Sequence, residues 1–461
     1  MSQSTEAKYP EADNAAERQV LRSAGNFRWV ICSLLFVATT LNYMDRQIIG
    51  FLQPLLAQEF HWNQIDYANI VTAFQAAYAL GMLVMGWFVD RMGLRVGYAI
   101  AVGVWSLFAA AHGLGNMLPH EGQASVLGIS MSATTLSVAF FCAMRFGMGV
   151  AEGGNFPAAI KTVSEWFPNR ERSLATGLFN SGSNVGALLT PLFVPWLADR
   201  WGWHVAFYAT GAIGLCWMFA WLPIYRAPER HSWLSQSELS LIQSDSEKIA
   251  VPRISWLELL RYPTTWAFSI GFVLVAPVWW FLLFWIPPFL HDQHNVAVTA
   301  GDMGPPVLLI YTAACVGSVV GGWLPSWFMR FGFGLWGTRR LTMFICALAV
   351  APIVFAAGGT SLWTAASLIA LAAGAHQGFS ANLFSIVSDN MPRAVVGSVV
   401  GIGGMAGAVA SMFAAKAVGQ ILYVTHNDYF LPFALAPVMY FITVGVLLLL
   451  RQSHATSGEH P

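Results

Sequence analysis

Stretches of about twenty apolar residues recur along the whole chain, each long enough to cross about 30 Å of hydrocarbon as a helix. Inside a bilayer every backbone N–H and C=O must find its partner within the protein, which leaves bundled helices as the fold for such runs. The hydropathy predicts twelve spans, near 27 to 51, 66 to 88, 96 to 116, 135 to 162, 174 to 197, 204 to 225, 264 to 290, 304 to 329, 340 to 358, 361 to 388, 395 to 422 and 430 to 450. Composition agrees, with 56% of 461 residues hydrophobic and 10% charged, against roughly a quarter charged in a soluble domain. The expected fold class is all-α, a polytopic membrane protein.

Residues 1–26 are polar and carry no cleavable signal pattern, so the first span is expected to be a retained helix. Lys8, Arg18, Arg22 and Arg28 stand at or before that span, and Arg91, Arg95, Arg170, Arg172, Arg339, Arg340, Arg393 and Arg451 follow even-numbered spans. Arg200 is the exception among the opposite loops. The positive-inside rule then places both termini in the cytoplasm of a multi-pass protein of the cell's inner membrane. The longest polar stretch, 226–263, divides the chain into a six-span half at 27–225, a six-span half at 264–451 and a tail at 452–461. Within the stretch, Leu234 to Leu239 reads as the start of a short amphipathic surface helix. The five cysteines lie apart inside predicted spans and form neither a disulfide framework nor a metal spacing.

The chemistry is concentrated in a few intramembrane charges. Asn42-Tyr43-Met44-Asp45-Arg46 puts an acid and a base side by side in the first span. A charge at bilayer depth costs several kcal/mol and survives only facing protein or a water-filled cavity, so such residues default to function. Arg145 and Glu152 in the fourth span are seven apart, about two turns, and share a face about 10 Å apart along the axis. Asp45 and Arg46 point about 100° apart, so one can reach the fourth helix while the other faces a cavity. The expected arrangement sets Asp45 near Arg145 and Arg46 toward a substrate carboxylate. Arginine suits that task because its planar fork gives a carboxylate two charge-assisted hydrogen bonds and it stays protonated. Burial favours the neutral form of a carboxyl and a neighbouring arginine the ionised form, so moving helices could switch Asp45 or Glu152 between binding and releasing a proton. The structural alternative is an Asp45–Arg145 salt bridge with Glu152 as helix-packing glue.

Six spans on each side of a polar linker match the parallel repeat of the major facilitator architecture, whose binding site lies between the halves near the midplane. Gly86-Trp87-Phe88-Val89-Asp90-Arg91-Met92-Gly93-Leu94-Arg95 resembles the cytoplasmic signature of that superfamily, with Val96 where a further basic residue is usual. The resemblance implies a gating role for Asp90, Arg91 and Arg95; the equivalent loop from Ser326 to Gly332 lacks the acid, so the gate is expected to rest on the N-terminal copy. The run from Arg145 to Ala159, with Ser164-Glu165-Trp166-Phe167-Pro168, Arg170-Glu171-Arg172 and Phe179-Asn180-Ser181-Gly182-Ser183, is similar to the anion:cation symporter branch, which includes proton-driven importers of sugar acids. Ala375-His376-Gln377-Gly378 and Ser388-Asp389 look most like hexuronate transporters, and the segment 119 to 134 is longer than the family's usual loop.

Tyr43 and Tyr78 match positions where the family contacts substrate hydroxyls. Asn180 and Ser183 could bond sugar hydroxyls or glue helices, and His376, Gln377 and Asn382 are the polar set of the second half. Trp279 and Trp280 offer flat faces for a sugar ring, while Lys416 is expected to snorkel or pair within its own span. Two matches to the dinucleotide glycine pattern, at Gly332 to Gly337 and Gly401 to Ala406, lack the preceding strand that motif requires. His291-Asp292-Gln293-His294 reads as a solvated loop end rather than a metal site. The reading is a monomeric importer of a small sugar-acid anion, a hexuronate such as galacturonate or glucuronate, with protons, by alternating access. It needs no cofactor, metal or nucleic acid; its surroundings are the lipid bilayer. Its alternatives are a transporter of another organic anion such as an aldonate, a drug or metabolite proton antiporter, and a non-transporting membrane sensor. An enzyme is disfavoured, since no nucleophile-base pair stands out.

Overall fold

The structure, a computed structural model, describes residues 25–126, 129–243, 256–391 and 393–456. The first six membrane-length rods are α1 (Phe27–Phe60), α2 (Gln64–Met92), α3 (Leu94–Ala111), a pair α4 (Ala133–Glu152) and α5 (Asn155–Trp166), α6 (Asn169–Trp201) and α7 (Trp203–Ile224). Two short helices, α8 (Gln236–Gln243) and α9 (Trp256–Leu259), belong to the linker. The last six rods are α10 (Pro263–His294), α11 (Gly304–Met329), α12 (Leu335–Val350), α13 (Leu362–Asn390), α14 (Arg393–Val424) and α15 (Phe430–Thr456). All twelve expected spans are thus helical. Ten of the rods are both long and apolar enough to cross a membrane by length and composition. The other two, α6 and α13, carry the polar residues around Asn180 and His376, which lower their hydropathy without shortening them.

Local chemistry fixes where the rods begin. Asn63 and Asp66 form a capping box at α2, each side chain accepting from the other's end of the turn. Ser132 and Ser361 cap α4 and α13 through their hydroxyl oxygens. Gly93, in the Asp90–Arg95 signature, turns the chain from α2 into α3 at φ 77°, a conformation that any Cβ would strain. The expected linker helix is present as α8, and it does more than lie on the surface. Its Glu238 accepts hydrogen bonds from the backbone amides of Phe27 (3.2 Å) and Arg28 (3.0 Å), so the linker caps the first turn of α1. Arg28 completes the joint with ion pairs to Glu238 (3.1 Å) and Glu171 (2.8 Å). The segment 119 to 134 contains an antiparallel hairpin, β1 (Gln123–Val126) with β2 (Ile129–Ser132), in register Gln123 to Ser132.

Close packing of the rods depends on small residues. A Cβ at Gly81 would lie 2.3 Å from the carbonyl oxygen of Val150, and one at Gly153 would lie 2.5 Å from the backbone of Gly81, so α2 and α4 touch backbone to backbone. The later rods repeat the device where α11 meets α13, with Gly317 against Gly374 and Gly321 against Gly378. Contacts between the first and last six rods gather toward the Gln64 end of α2. There Gly419 of α14 sits on Ala68, Gly304 of α11 on Leu192, and the Tyr67 hydroxyl donates to the Phe284 carbonyl at 2.7 Å. Lys416 departs from expectation: it bonds Asn69 across the bundles, because its face of α14 is the one packed on α2. At the other end of α2, Asp90, Arg91 and Met92 are exposed.

Candidate functional site

The glycine-mediated approach of α4 to α2 carries Arg145 and Glu152 into the middle of the first bundle, both buried. Arg46 of α1 meets Glu152 there: Nη2 lies 3.1 Å and Nε 3.3 Å from the same carboxylate oxygen, Oε2. Nη2 also donates to Asn42 Oδ1 at 3.0 Å. The guanidinium is ringed by aromatic faces, with Cζ 4.9 Å from the Tyr43 centroid, 5.5 Å from Phe74, 4.6 Å from Tyr78 and 5.3 Å from Trp280. Trp280 comes from α10, so the second bundle closes the cage. Oε1 of Glu152 accepts no hydrogen bond among the described residues.

Asp45 lies on the other side of α1, as the 100° offset requires, with Thr210, Trp105 and Arg145 as its polar surroundings. Asp45 thus lies near Arg145 as expected, but the salt bridge that was the structural alternative is not formed among the described residues. Arg145 instead donates from Nη2 to the backbone carbonyl of Arg46 at 2.9 Å and rests over the rings of Phe74 (5.0 Å) and Phe284 (5.8 Å). No hydrogen bond of full geometry reaches either Asp45 oxygen among the described residues, although Asp45 is 1% exposed; the Thr210 hydroxyl and the Trp105 indole are the donors close by. An unpartnered buried acid costs stability and calls for a functional account. Arg46 faces Glu152 along the α1–α4 seam, whereas the Arg145 guanidinium is taken up by the Arg46 carbonyl within α1 and by two rings.

In the second bundle His376 is held from two sides. Its ring stacks on Trp279 at 5.0 Å and 11°, and its Nδ1 is 2.5 Å from the Tyr440 hydroxyl. Trp279, Trp280 and Gln377 are half-buried, Trp279 against His376 and Trp280 against Arg46. Asn382 is fully buried and bonded elsewhere, donating to the carbonyls of Gly321 and Gly378 and accepting from Arg339 Nη1, itself paired with Asp389 at 2.5 Å. That geometry ties α13 to α11 and α12 and separates Asn382 from the Arg46 cluster. The Ser183 hydroxyl is spent on the Asn180 carbonyl of its own helix, and Asn180 is exposed; neither bonds the cluster. In the signature loop, Asp90 pairs with Lys161 at 2.6 Å, Arg91 stacks over Trp87, and Arg95 donates to the Leu222 carbonyl at 2.8 Å. All three are engaged within the first bundle.

Sequence reasoning missed Phe74, Tyr67 and Phe284. The signal was present: Tyr67, Phe74 and Tyr78 fall at i, i+7 and i+11, one face of α2, and Trp280 and Phe284 at i and i+4 on α10.

Residues 35–415 match the Major Facilitator Superfamily. The chain is 29% identical over 408 residues to the hexuronate transporter of Escherichia coli K12, covering 87% of this chain and 89% of that protein. It is 32% identical over 328 residues to the galacturonate transporter of Dickeya chrysanthemi, covering 70% and 88%, and 28% identical over 411 residues to a D-galactonate transporter of Escherichia coli CFT073, covering 86% and 90%. Among solved structures, a bacterial homolog to the human lysosomal transporter Spinster, in an inward-facing and occupied conformation, matches with a TM-score of 0.72 at 19% identity over 95% of this chain and 100% of that one. The inward-open xylose transporter of E. coli matches with a TM-score of 0.69 at 13% identity, over 92% and 96%. These structural likenesses speak for the fold.

Proposed function

This chain belongs to the Major Facilitator Superfamily, and we propose that it imports a hexuronate anion with at least one proton by alternating access. The observation that carries the reading is the Arg46–Glu152 pair, an arginine buried at bilayer depth with a carboxylate on one side and aromatic faces on the others. A substrate carboxylate and Glu152 compete for one guanidinium. When Glu152 takes up a proton it ceases to be the stronger partner, and Arg46 is free to form a charge-assisted fork with the incoming acid. When the substrate leaves, Glu152 can release its proton and reclaim Arg46. Proton and anion therefore travel together. Asp45, buried without a full-geometry hydrogen bond among the described residues, is the second candidate proton carrier.

The residues gathered around this pair have places in the scheme. Arg145 fixes the backbone of α1 at Arg46 through the 2.9 Å bond to its carbonyl. Tyr43, Tyr78, Trp279, Trp280 and Gln377 would face the sugar, with His376 holding Trp279 in position. Residues 27–225 and 264–451 would rock as two halves about this site. With basic loops inside, the exposed Asp90 end of α2 is the cytoplasmic end and both termini are cytoplasmic, so the arrangement is open toward the cytoplasm of a monomer in the inner membrane. Asp90 and Arg95 would re-pair across the halves when that end closes.

The likeness to hexuronate and galacturonate transporters supports a hexuronate, while the galactonate transporter, at 28% against 29% identity over a similar length, supports an aldonate as the second reading. An antiporter of amphipathic compounds would give Arg46 no anion to serve. The deciding experiment is uptake into proteoliposomes with an inward proton gradient, using labelled galacturonate, glucuronate, galactonate and neutral galactose. Uphill accumulation of a hexuronate, abolished by dissipating the gradient, is expected. Equal uptake of galactose would overturn the assignment of Arg46, and preference for galactonate would select the second reading.

A further inference from the structure

On α10, Trp280 and Phe284 stand one turn apart with their rings stacked at 5.5 Å and 18°. Both buried arginines of the opposite bundle bear on this pair, Arg46 over Trp280 at 5.3 Å and Arg145 over Phe284 at 5.8 Å. The backbone beneath the rings is engaged as well: the Tyr67 hydroxyl donates to the Phe284 carbonyl, and a Cβ at Gly50 would lie 3.4 Å from the carbonyl oxygens of Leu283 and Phe284. Helices α1, α2 and α4 thus converge on two aromatic residues of the other bundle. Of the four rings around Arg46, those of Tyr43, Phe74 and Tyr78 belong to its own bundle and that of Trp280 to the other.

We propose that the Trp280–Phe284 pair is a positioning surface through which the charge balance at Arg46 and Arg145 sets how firmly the two bundles are held together. The inference rests on the reading of the protein as a proton-coupled transporter. A ring face attracts a cation most when no anion already neutralises it, and the attraction is strong in a desolvated site. With Glu152 ionised, the charge of Arg46 is largely answered within its own bundle. A proton on Glu152 removes that partner and leaves the guanidinium to the rings, so the contact to Trp280 tightens. A substrate carboxylate at Arg46 loosens it again. The groups facing Glu152 are Arg46, Asn42, Asp45 and Tyr43 from α1 and Arg145 from its own helix, with Tyr78 of α2 against Arg46.

The test uses the full chain in nanodiscs, its five cysteines replaced, with spin labels at Met92 and Phe331, one on each bundle at the open end. Pulsed distance measurements at acidic and alkaline pH report the balance of states without requiring any substrate. In the otherwise native chain, acidification should raise the population that is wide at these labels. Phe284→Leu keeps apolar volume and loses the ring face, and its pH-induced change should be at least twofold smaller; Phe284→Tyr should restore it. Trp280→Phe, a weaker cation acceptor, should fall between Trp280 and Trp280→Leu, which decides the series should a leucine variant not fold. A residue that merely fills space would lower the unfolding temperature and leave the pH response intact, and that outcome overturns the proposal. If no sugar acid is transported while the leucine variants still lose the pH response, the sugar-acid assignment falls and the proton-linked coupling stands; normal uptake with an unaltered response in Trp280→Phe and Phe284→Leu gives the reverse.

Discussion

Arg46 and Glu152 share one buried hydrogen-bonded ion pair, Nη2 to Oε2 at 3.1 Å, that closes the seam between the first and fourth spans. Taking away one member leaves a charge with no counter-ion, at a cost of about 3–5 kcal/mol, whereas removing both often costs nothing. Arg46→Met should therefore lower the unfolding temperature in detergent well below that of the double variant Arg46→Met with Glu152→Leu. A double variant no more stable than Arg46→Met would show that the two side chains are not energetically coupled.

Glu152→Gln fixes the carboxyl in the shape of its protonated form. Arg46 then stays available to the substrate at every pH, while no proton can be carried on this group. Exchange between preloaded vesicles should persist, and accumulation driven by a proton gradient should fail. Full uphill uptake by this variant would assign the proton to another acid, with Asp45 the remaining buried carboxyl of the cluster.

Arg46→Lys keeps the charge and loses the fork. One charge-assisted hydrogen bond contributes about 1.5–3 kcal/mol, so binding of the acid should weaken roughly 10- to 150-fold. Calorimetric titration with a hexuronate checks this; an affinity within about twofold of the unaltered protein would mean that the carboxylate is held elsewhere.

The types of residue in this site could be read from the sequence because intramembrane charges are costly, and Asp45, Arg46, Arg145 and Glu152 all proved buried together. Their pairing could not. Spacing along α4 fixes the faces of Arg145 and Glu152 but not how α4 is turned within the bundle, where it is seated on α2 by backbone contacts such as Gly81 with Gly153. Asp45 therefore stood near Arg145 without bonding it. Asn382 looked like a cavity residue because polar side chains are scarce in spans, yet its amide closes the gap between α11 and α13. Phe74 and Phe284 escaped notice for the opposite reason, since a ring over a guanidinium has the same sequence as a ring facing lipid. The twelve spans were legible from length and hydropathy, whereas the cap that Glu238 places on α1 spans 211 positions and leaves no local pattern.

That cap makes a prediction about the linker. Glu238→Ala frees the first amides of α1 and removes one counter-ion of Arg28, and loss of a helix cap costs about 0.5–2 kcal/mol. The variant should unfold at a lower temperature while its affinity for substrate is unchanged, because the joint lies at the end of α1 remote from Arg46. A reduced affinity at unchanged stability would place the linker in the transport cycle instead.

Specificity among sugar acids should be set by the second bundle. The first bundle supplies Arg46 and Glu152, which every carboxylate meets alike, so discrimination between a ring and an open chain must come from groups that face the hydroxyls. Gln377 is half-buried and adjoins His376, whose own ring is held by Trp279 and Tyr440, and we take it as the polar side chain of that helix offered to the ligand. A buried polar group left unpaired costs about 1–3 kcal/mol, equivalent to roughly 5- to 150-fold in relative affinity. Gln377→Ala should narrow the preference for galacturonate or glucuronate over galactonate toward that extent and leave proton-driven accumulation in place. Competition uptake measures both at once. An unchanged ranking of the acids in this variant would remove Gln377 from the substrate site, and the hexuronate reading would then rest on the likeness to its relatives.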